Sequence, residues 1–237
     1  MRLDERTIVI TGAAGGLGQV LVRDLAAQNA RLALIGREAD KLDQLAASLG
    51  LGPAQALAFP ADLLQPQVAQ AAAAAAAERF GRLDALLHLI GGWTGGKTLL
   101  ETPDGDLQHM LEQHVWSSFN AARAFAPHLA RSGAGRIIMI TSPFAAQPRP
   151  RGGAYAIAKA GQETLALTMA QELRDSGVTV NLLQVKTIDL QRARVNTASP
   201  ENAAWTTPEE LSAAVQYLLS DQAGAVNGAK IPLYHGV

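Results

Sequence analysis

A tyrosine and a lysine stand four positions apart in the short apolar stretch AYAIAKAG, as Tyr155 and Lys159. Because residues four apart lie on one face of an α-helix, a helix here would direct a phenol and an ammonium group into the same space. A phenol can donate a proton, and a positive charge beside it lowers its pKa from the usual value of about 10. The pair therefore predicts general acid–base chemistry, with Tyr155 as the acid and Lys159 as the group that tunes it.

A serine at the end of the preceding predicted strand adds a third group to this pair. Ser142 closes the run GRIIMITS, upstream of Tyr155. Its hydroxyl can hydrogen-bond a substrate oxygen and help to stabilise the negative charge that develops there. The structural alternative is a serine that caps a helix and a tyrosine that packs in the core.

A glycine cluster near the N-terminus predicts a phosphate-binding turn. The segment TGAAGGLG, residues 11–18, follows a short β-branched run and opens a helical pattern. Glycines there permit a tight turn, let the backbone approach a pyrophosphate, and direct free N–H groups and the helix dipole at the anion. The alternative is a turn that only reverses the chain. In this context we expect a dinucleotide site at Gly12, Gly15, Gly16, Leu17 and Gly18.

The elements that must position these groups alternate along the whole chain. Near-continuous apolar strands between helices predict an α/β fold with a doubly wound parallel sheet, flanked by helices on both faces. Ligands bind such sheets beyond the carboxyl ends of the strands. We expect one domain over residues 1–237, with strands at 7–10, 31–36, 56–62, 83–91, 135–142, 177–185 and 228–233, and helices at 17–30, 38–50, 66–80, 104–131, 153–175 and from Thr207 onward.

Composition narrows the class of partner. The 237 residues are 48% hydrophobic, and 20 basic against 21 acidic side chains give a net charge of −1, which argues against nucleic acid or an anionic membrane as partner. The absence of cysteine excludes disulfides and thiolate metal sites, and no apolar run is long enough for a membrane helix. We expect a cytoplasmic protein with a small-molecule substrate. No metal is expected either, because no ligand cluster is evident among the histidines, which are His88, His109, His114, His128 and His235.

The order of these motifs resembles the short-chain dehydrogenase/reductase family over nearly the whole chain. The resemblance rests on the motif Thr-Gly-x-x-x-Gly-x-Gly at residues 11–18, followed by Ser142, Tyr155 and Lys159. The resemblance implies a Rossmann-type fold, hydride transfer between NAD or NADP and a carbonyl or alcohol, and a homodimer or homotetramer. It implies that Lys159 also holds the nicotinamide ribose. Further cofactor contacts would come from Asp62, Leu63, Ile90, Gly91 and Ile188.

Two positions bear on how the cofactor is held. The family's aspartate beside the adenine ring falls at Asp62, for which the alternative is a cap of the helix over 66–80. After the second strand the chain carries Gly36 and Arg37 in place of a carboxylate. An arginine can pair bidentately with a 2′-phosphate, so we expect NADP(H), with NAD(H) possible and a solvated surface arginine as the alternative.

Several positions depart from the family pattern. His114 stands where the family carries an asparagine in the fourth helix, HLIG replaces Asn-Asn-Ala-Gly, and Val185-Lys186 replaces Pro-Gly. Histidine can donate and accept, so we expect His114 to take part in a proton relay, the alternative being that it fills space. Such departures also fit a non-catalytic, nucleotide-sensing or structural relative.

The substrate region is less distinctive. GGWTGG and HVWSS are similar to dihydropteridine reductases, and Trp93 would stack on a flat ring. Phe144 and Arg192 are further substrate candidates. A polar lid is expected over about 186–206, and a basic rim that attracts an anionic substrate is the hypothesis for its arginines, with solvated side chains as the alternative. The rim would comprise Arg149, Arg151, Lys186, Arg192 and Arg194.

Overall fold

Seven parallel strands form one sheet in the computed structural model, which describes residues 3–234. The central strands have no exposed positions, as in β1, because both of their faces are covered. The strands are β1 (Thr7–Thr11), β2 (Arg31–Gly36), β3 (Ala56–Pro60), β4 (Ala85–His88), β5 (Arg136–Thr141), β6 (Thr179–Gln184) and β7 (Lys230–Pro232). They lie in the order β3–β2–β1–β4–β5–β6–β7, which confirms the predicted doubly wound fold.

Helices cover both faces of the sheet and create two apolar cores. The helices are α1 (Gly16–Ala26), α2 (Ala39–Ser48), α3 (Pro66–Phe80), α4 (Asp104–Leu111), α5 (Ser117–Arg131), α6 (Gly153–Glu172), α7 (Ala193–Asn196) and α8 (Pro208–Leu219). One core lies beneath α3, α5 and α6, and the other beneath α1, α2 and α8. Within residues 3–234, no helix is long and apolar enough to cross a membrane.

The helix predicted over 104–131 is interrupted. A π-helical turn, Glu112–Trp116, separates α4 from α5. At this turn, serine hydroxyls donate hydrogen bonds to backbone carbonyls. Ser117 Oγ donates to the Gln113 oxygen at 2.5 Å, and Ser118 Oγ donates to the His114 oxygen at 2.6 Å. Such turns are common at functional sites, and apolar periodicity does not reveal them.

Other elements differ from the prediction mainly at their ends. The strand expected over 83–91 is β4, Ala85–His88, because the chain turns away from the sheet after His88. The last helix begins as predicted, with a capping box in which Thr207 and Glu210 exchange hydrogen bonds. The segment predicted as a lid contains α7 and a β-bridge between Ile188 and Thr206, so it is partly folded.

Candidate active site

The glycine turn after β1 is shaped by close backbone approach. Gly12 has a φ of +73°, and a Cβ there would lie 3.2 Å from the carbonyl carbon of Leu89. A Cβ on Gly18 would lie 2.3 Å from the Gly12 oxygen and 2.5 Å from the Ala13 oxygen. Gly15 is the N-cap of α1 and has no side chain to occupy the helix N-terminus. The turn therefore presents a bare helix end, which is the arrangement that binds phosphate.

A cleft of about 440 Å³ runs from this turn along the carboxyl ends of the strands. Seven of the residues predicted to bind the cofactor line it, namely Gly12, Gly15, Arg37, Asp62, Leu63, Ile90 and Gly91. A helix N-terminus near one end, apolar walls and cationic side chains fit a dinucleotide. Three predicted residues lie beside the cleft: Leu17 and Gly18 are buried in the first turn of α1, and a Cβ on Gly16 would lie 2.5 Å from Cδ1 of Leu190.

Ile188 is placed differently from its prediction. It packs against the core beneath α1 and α8 and pairs with Thr206 in a β-bridge, and it is not among the residues that line the cleft. The bridge draws the start of the 186–206 segment into the domain, and this pairing is not readable from local sequence.

Asp62 lines the cleft and does not cap a helix. Its Oδ1 accepts a hydrogen bond from the Leu64 backbone N–H at 3.0 Å. The N-cap of α3 is Gln65, without a side-chain bond to the helix. The helix-cap interpretation of Asp62 is therefore wrong, because the chain makes a further turn between β3 and α3.

Arg37 is exposed at the mouth of the cleft, directly after β2. A second cation, Lys41, lines the same region and forms an ion pair with Glu38 at 2.8 Å. Two cations, one from the β2–α2 connection and one from the first turn of α2, thus line the cleft, although the glycine turn itself carries none.

The three predicted catalytic side chains come together at the carboxyl end of β5. Ser142 follows β5, and Tyr155 and Lys159 lie on one face of α6, with Lys159 Nζ 5.9 Å from the Tyr155 ring centroid. Burial raises the pKa of Tyr155, and a hydrogen bond with Ser142 acts in the opposite direction. The pKa of Tyr155 is thus raised on balance and not lowered as expected, because the effect of burial is the largest and the Lys159 ammonium donates to other acceptors.

Those acceptors form a buried chain that sequence reasoning missed. Lys159 Nζ donates to the Ile140 oxygen at 2.7 Å and to Gln162 Oε1 at 2.8 Å. Gln162 Nε2 donates to Ser118 Oγ at 3.0 Å, and Ser118 in turn donates to the His114 oxygen at 2.6 Å. The available signal was spacing, because Gln162 follows Lys159 by three positions and therefore shares its helix face.

A buried carboxylate lies one residue further along. Glu163 accepts from Thr141 Oγ1 at 2.9 Å and from Lys230 Nζ at 3.0 Å. Burial lowers the pKa of Lys159 to about 7, and the negative charge of Glu163 opposes that shift. Lys159 is thus a cation held in low-dielectric surroundings by one charge and two neutral oxygens.

The imidazole of His114 packs edge-on against the Tyr155 ring, with centroids 5.4 Å apart. Its Nε2 lies 2.9 Å from the Gly92 oxygen and must donate there, because a carbonyl can only accept. Nδ1 is therefore unprotonated, and within residues 3–234 it has no hydrogen-bond partner. Burial, assisted by Lys159, lowers the pKa of His114 to about 3. The predicted proton relay through the His114 imidazole lacks a supporting contact. The hydrogen bonds that lead from Lys159 through Gln162 and Ser118 end on the backbone oxygen of His114, not on its ring.

His88 connects two strands and a helix at the first position of HLIG. Its Nδ1 lies 2.8 Å from Thr11 Oγ1, and its Nε2 lies 3.2 Å from Ser117 Oγ. The Ser117 hydroxyl donates to the Gln113 oxygen, so it accepts from Nε2–H, and Nδ1 accepts from Thr11. Burial lowers the pKa of His88 to about 3. This residue has a structural role in local packing.

The predicted substrate residues differ in how they are placed. Trp93 is 63% exposed, and the Phe144 ring stacks beneath the Arg149 guanidinium at 4.5 Å. Arg192 forms an ion pair with Glu209, and Arg194 forms one with Glu210 at 2.6 Å. The basic-rim hypothesis loses two of its arginines, because carboxylates at the start of α8 compensate their charge.

A metal centre was not expected, and the described part of the chain contains no group of three His, Asp or Glu side chains that could hold an ion. His235, one of the five histidines considered, lies outside the described residues.

Comparison with known proteins agrees with this geometry. A family model described as short chain dehydrogenase matches residues 6–200. Nodulation protein G of Rhizobium sp. (strain N33) is 30% identical over 99% of this chain and 98% of its own length. The 2,3-dihydroxy-2,3-dihydro-p-cumate dehydrogenase of Pseudomonas putida is also 30% identical, over 99% of this chain and 95% of its own.

A solved structure shares the fold. It is the NADPH-bound short chain oxidoreductase from Pseudomonas aeruginosa PAO1, described as containing an atypical catalytic center. It is 25% identical, has a TM-score of 0.87 and covers 98% of this chain and 96% of its own. Family match, relatives and fold agree: the chain belongs to the short-chain dehydrogenase family and is an oxidoreductase.

Proposed function

We propose that this protein is an NADP(H)-dependent reductase that converts the carbonyl of a small molecule to an alcohol, reversibly, in the cytoplasm. The observation that carries the proposal is the convergence of Ser142, Tyr155 and Lys159 at the sheet edge that also bears the glycine-turn cleft. A cysteine-free chain suits a reducing compartment.

The side chains divide the work on the substrate oxygen. A nicotinamide cofactor held by the residues that line the cleft would supply the hydride for the carbonyl carbon. Tyr155 gives its proton to the carbonyl oxygen, which becomes the hydroxyl of the product, and Ser142 hydrogen-bonds that oxygen while charge develops. The positive charge of Lys159 stabilises the tyrosinate left behind, which then regains a proton from solvent. The raised pKa of Tyr155 keeps the phenol protonated near neutral pH, which is the form that reduction needs.

The preference for NADP(H) is supported by the cations at the cleft. Arg37 and Lys41 both line the region that follows β2, and the residue directly after the strand is Arg37, not a carboxylate. Glu38 also lines this region, and its ion pair with Lys41 reduces its repulsion of a phosphate. NAD(H) is the alternative cofactor, and fluorescence titration with NADPH and NADH distinguishes the two.

A dihydropteridine-reductase-like activity is the second candidate. The observation that favours it is the exposed indole of Trp93, which lies in the loop 91–96 next to the loop before α6. An exposed indole offers a stacking surface for a flat ring. Assay of NADPH consumption with ketones, quinones and pterins would separate this activity from general carbonyl reduction.

A homodimer or homotetramer is proposed from the exposed aromatic face where the π-helical turn joins α5. Trp116 is 55% exposed and Phe119 is 38% exposed, and their rings meet edge to face on a helix surface that a monomer would leave in water. Sedimentation velocity of the wild type should give the mass of a dimer or tetramer, and Phe119→Glu should lower it. The same mass for the variant as for the wild type would contradict a contact through this face.

The catalytic assignment is tested with Tyr155→Phe. We expect turnover to fall at least about 1000-fold, because the proton donor is lost, while the Kd for NADPH changes less than about threefold. The measurement is NADPH oxidation alongside fluorescence titration. Tyr217→Phe is the matched control, since Tyr217 is an exposed tyrosine of α8 that does not line the cleft.

A non-catalytic, nucleotide-sensing protein would give a different result. It would bind NADPH but consume none with any substrate class, in the wild type as in the variant. Turnover that survives Tyr155→Phe would overturn the role assigned to this residue.

A further inference from the structure

Gln162 lies between the catalytic lysine and the π-helical turn, with no exposed surface. Both ends of its amide are used: Oε1 accepts from Lys159 Nζ at 2.8 Å, and Nε2 donates to Ser118 Oγ at 3.0 Å. A buried amide is costly unless its donor and acceptor are satisfied, so this placement depends on both partners.

The direction of the amide follows from the protons available. Ser118 has a single hydroxyl proton, which goes to the His114 oxygen at 2.6 Å. Its oxygen can then only accept from Gln162, so the amide nitrogen faces Ser118 and the amide oxygen faces Lys159. The reverse orientation would set two donors, the ammonium and the amide NH2, against each other.

The series of hydrogen bonds that starts at Lys159 ends on a backbone atom of the π-helical turn. The final acceptor is the backbone oxygen of His114, which lies inside the π-helical turn Glu112–Trp116. A backbone atom within a helix is held more rigidly than a side chain. The fold therefore orients Ser118, which orients Gln162, which presents an oxygen to Lys159.

We propose that Gln162 is a positioning residue that fixes and helps to charge Lys159. Together with the Ile140 oxygen it takes two of the three N–H groups of the ammonium. An amide N–H is not acidic, so the chain holds the lysine without conducting a proton from it. This inference rests on the proposed function, in which the charge of Lys159 stabilises the ionised form of Tyr155.

Other groups facing Lys159 set the background for this role. Glu163 lies on the same helix and is paired with Lys230 of β7. His88 from β4 and His114 from the π-helical turn are neutral near pH 7, since burial lowers the pKa of each to about 3. Gln162 thus complements Glu163 by placing the negative end of a dipole on a cation whose own pKa is lowered to about 7.

The test compares Gln162→Leu with Gln162→Glu. Removing the oxygen is expected to lower the pKa of Lys159 from about 7 by about one to two units, and therefore to lower kcat near pH 7 by about 5- to 50-fold. The alkaline limb of the kcat profile should move to lower pH by the same amount. Gln162→Glu adds a charge and should move that limb to higher pH.

A second readout needs neither cofactor nor substrate. The ¹³Cε resonances of the lysines are followed by NMR as a function of pH in the cofactor-free protein, and Lys159→Arg assigns the resonance of Lys159. Its titration should move down in Gln162→Leu and up in Gln162→Glu. Ser118→Ala, which removes only the anchor of the amide, should produce a smaller downward shift.

Gln216→Leu provides the matched control. Gln216 also uses both ends of its amide, accepting from Gln28 at 2.8 Å and donating to Ser212 Oγ at 3.1 Å, but it lies on α8. It should change neither the pH profile nor the lysine titration.

The outcomes are separable. A folded Gln162→Leu with the wild-type titration of Lys159 would overturn the inference, as would equal losses of kcat at every pH with no shift of the limb. If Gln162→Leu does not fold, the opposite shifts expected of Gln162→Glu and Ser118→Ala decide the question. A wild type without turnover would reject the proposed function, while the NMR titration would still test the contact with Lys159.

Discussion

Tyr155 and Lys159 influence each other less directly than their spacing suggests. Burial raises the pKa of the tyrosine and lowers that of the lysine to about 7. A neutral phenol and a weakly acidic ammonium suit proton donation to a carbonyl near neutral pH. The charge of Lys159 is maintained by Glu163 and Gln162 of α6 and by the backbone oxygen of Ile140 in β5.

Arg37 is the side chain expected to distinguish the two cofactors. In Arg37→Gln we expect the Kd for NADPH to rise about 10- to 100-fold, because a charge-assisted bond to the 2′-phosphate is lost, while the Kd for NADH stays within about twofold. Fluorescence titration with each cofactor measures this. Arg174→Gln, in the turn after α6, is the control. Equal weakening of both cofactors would contradict a role at the phosphate.

Among the secondary-structure elements, the β1–α1 turn and the π-helical turn bring distant groups together. The first clears space for an anion by keeping side chains out of the backbone contacts between Gly12, Ala13 and Gly18. The second leaves the carbonyls of Gln113 and His114 to hydroxyl donors, and one of those carbonyls anchors the chain to Lys159. Both work through backbone geometry.

Gly18→Ala is expected to damage the β1–α1 turn. The new Cβ would lie 2.3 Å from the Gly12 oxygen, so the turn must shift, and we expect a loss of about 1–3 kcal/mol in the free energy of unfolding. NADPH binding should weaken as well, because the turn lines the cleft in which we propose that the cofactor binds. Urea denaturation and fluorescence titration measure the two effects.

Gly105→Ala is the matched control for that substitution. Gly105 lies in α4, and a Cβ there would meet nothing within 4 Å. Alanine is the better helix former, so a gain of up to about 1 kcal/mol is expected. Similar results for the two variants would contradict the steric explanation.

The folded protein contains two buried histidines, and their effect on the free energy of unfolding depends on pH. The pKa values of His88 and His114 are lowered from 6.5 to about 3, so the folded protein binds fewer protons than the unfolded chain between these values. Their contribution to stability is therefore full above pH 6.5 and is lost as the pH falls toward 3. Between pH 6.5 and about 3, each histidine is expected to lower the free energy of unfolding by about 1.4 kcal/mol for each unit by which the pH falls.

This acid sensitivity is measured by urea denaturation at a series of pH values from 7 to 4. His88→Asn should flatten the slope by about half, since one of the two imidazoles is removed. His109→Asn, at an exposed position of α4, should leave the slope as it is. A stability that does not change with pH in the wild type would show that the two imidazoles are protonated without cost.

Much of the fold and of the site follows from patterns that lie within short stretches. Apolar strands alternating with helices predict a parallel sheet, because a strand buried on both faces must be apolar throughout. The glycine turn, Ser142, and the spacing of Tyr155 and Lys159 are equally local, and the sheet brings them to one edge. The π-helical turn escaped prediction because a helix with one wider turn keeps the same apolar face.

The amino-acid sequence by itself determined the doubly wound fold and the family, and it singled out Ser142, Tyr155 and Lys159 as candidate catalytic side chains, since these depend on periodicity and on motif spacing. Folding decided the partners of Lys159, the raised pKa of Tyr155, the hydrogen bond that Asp62 accepts from Leu64 and the pairing of Arg192 and Arg194 with glutamates. These properties arise from burial and from contacts between distant parts of the chain, and neither is encoded in any local stretch.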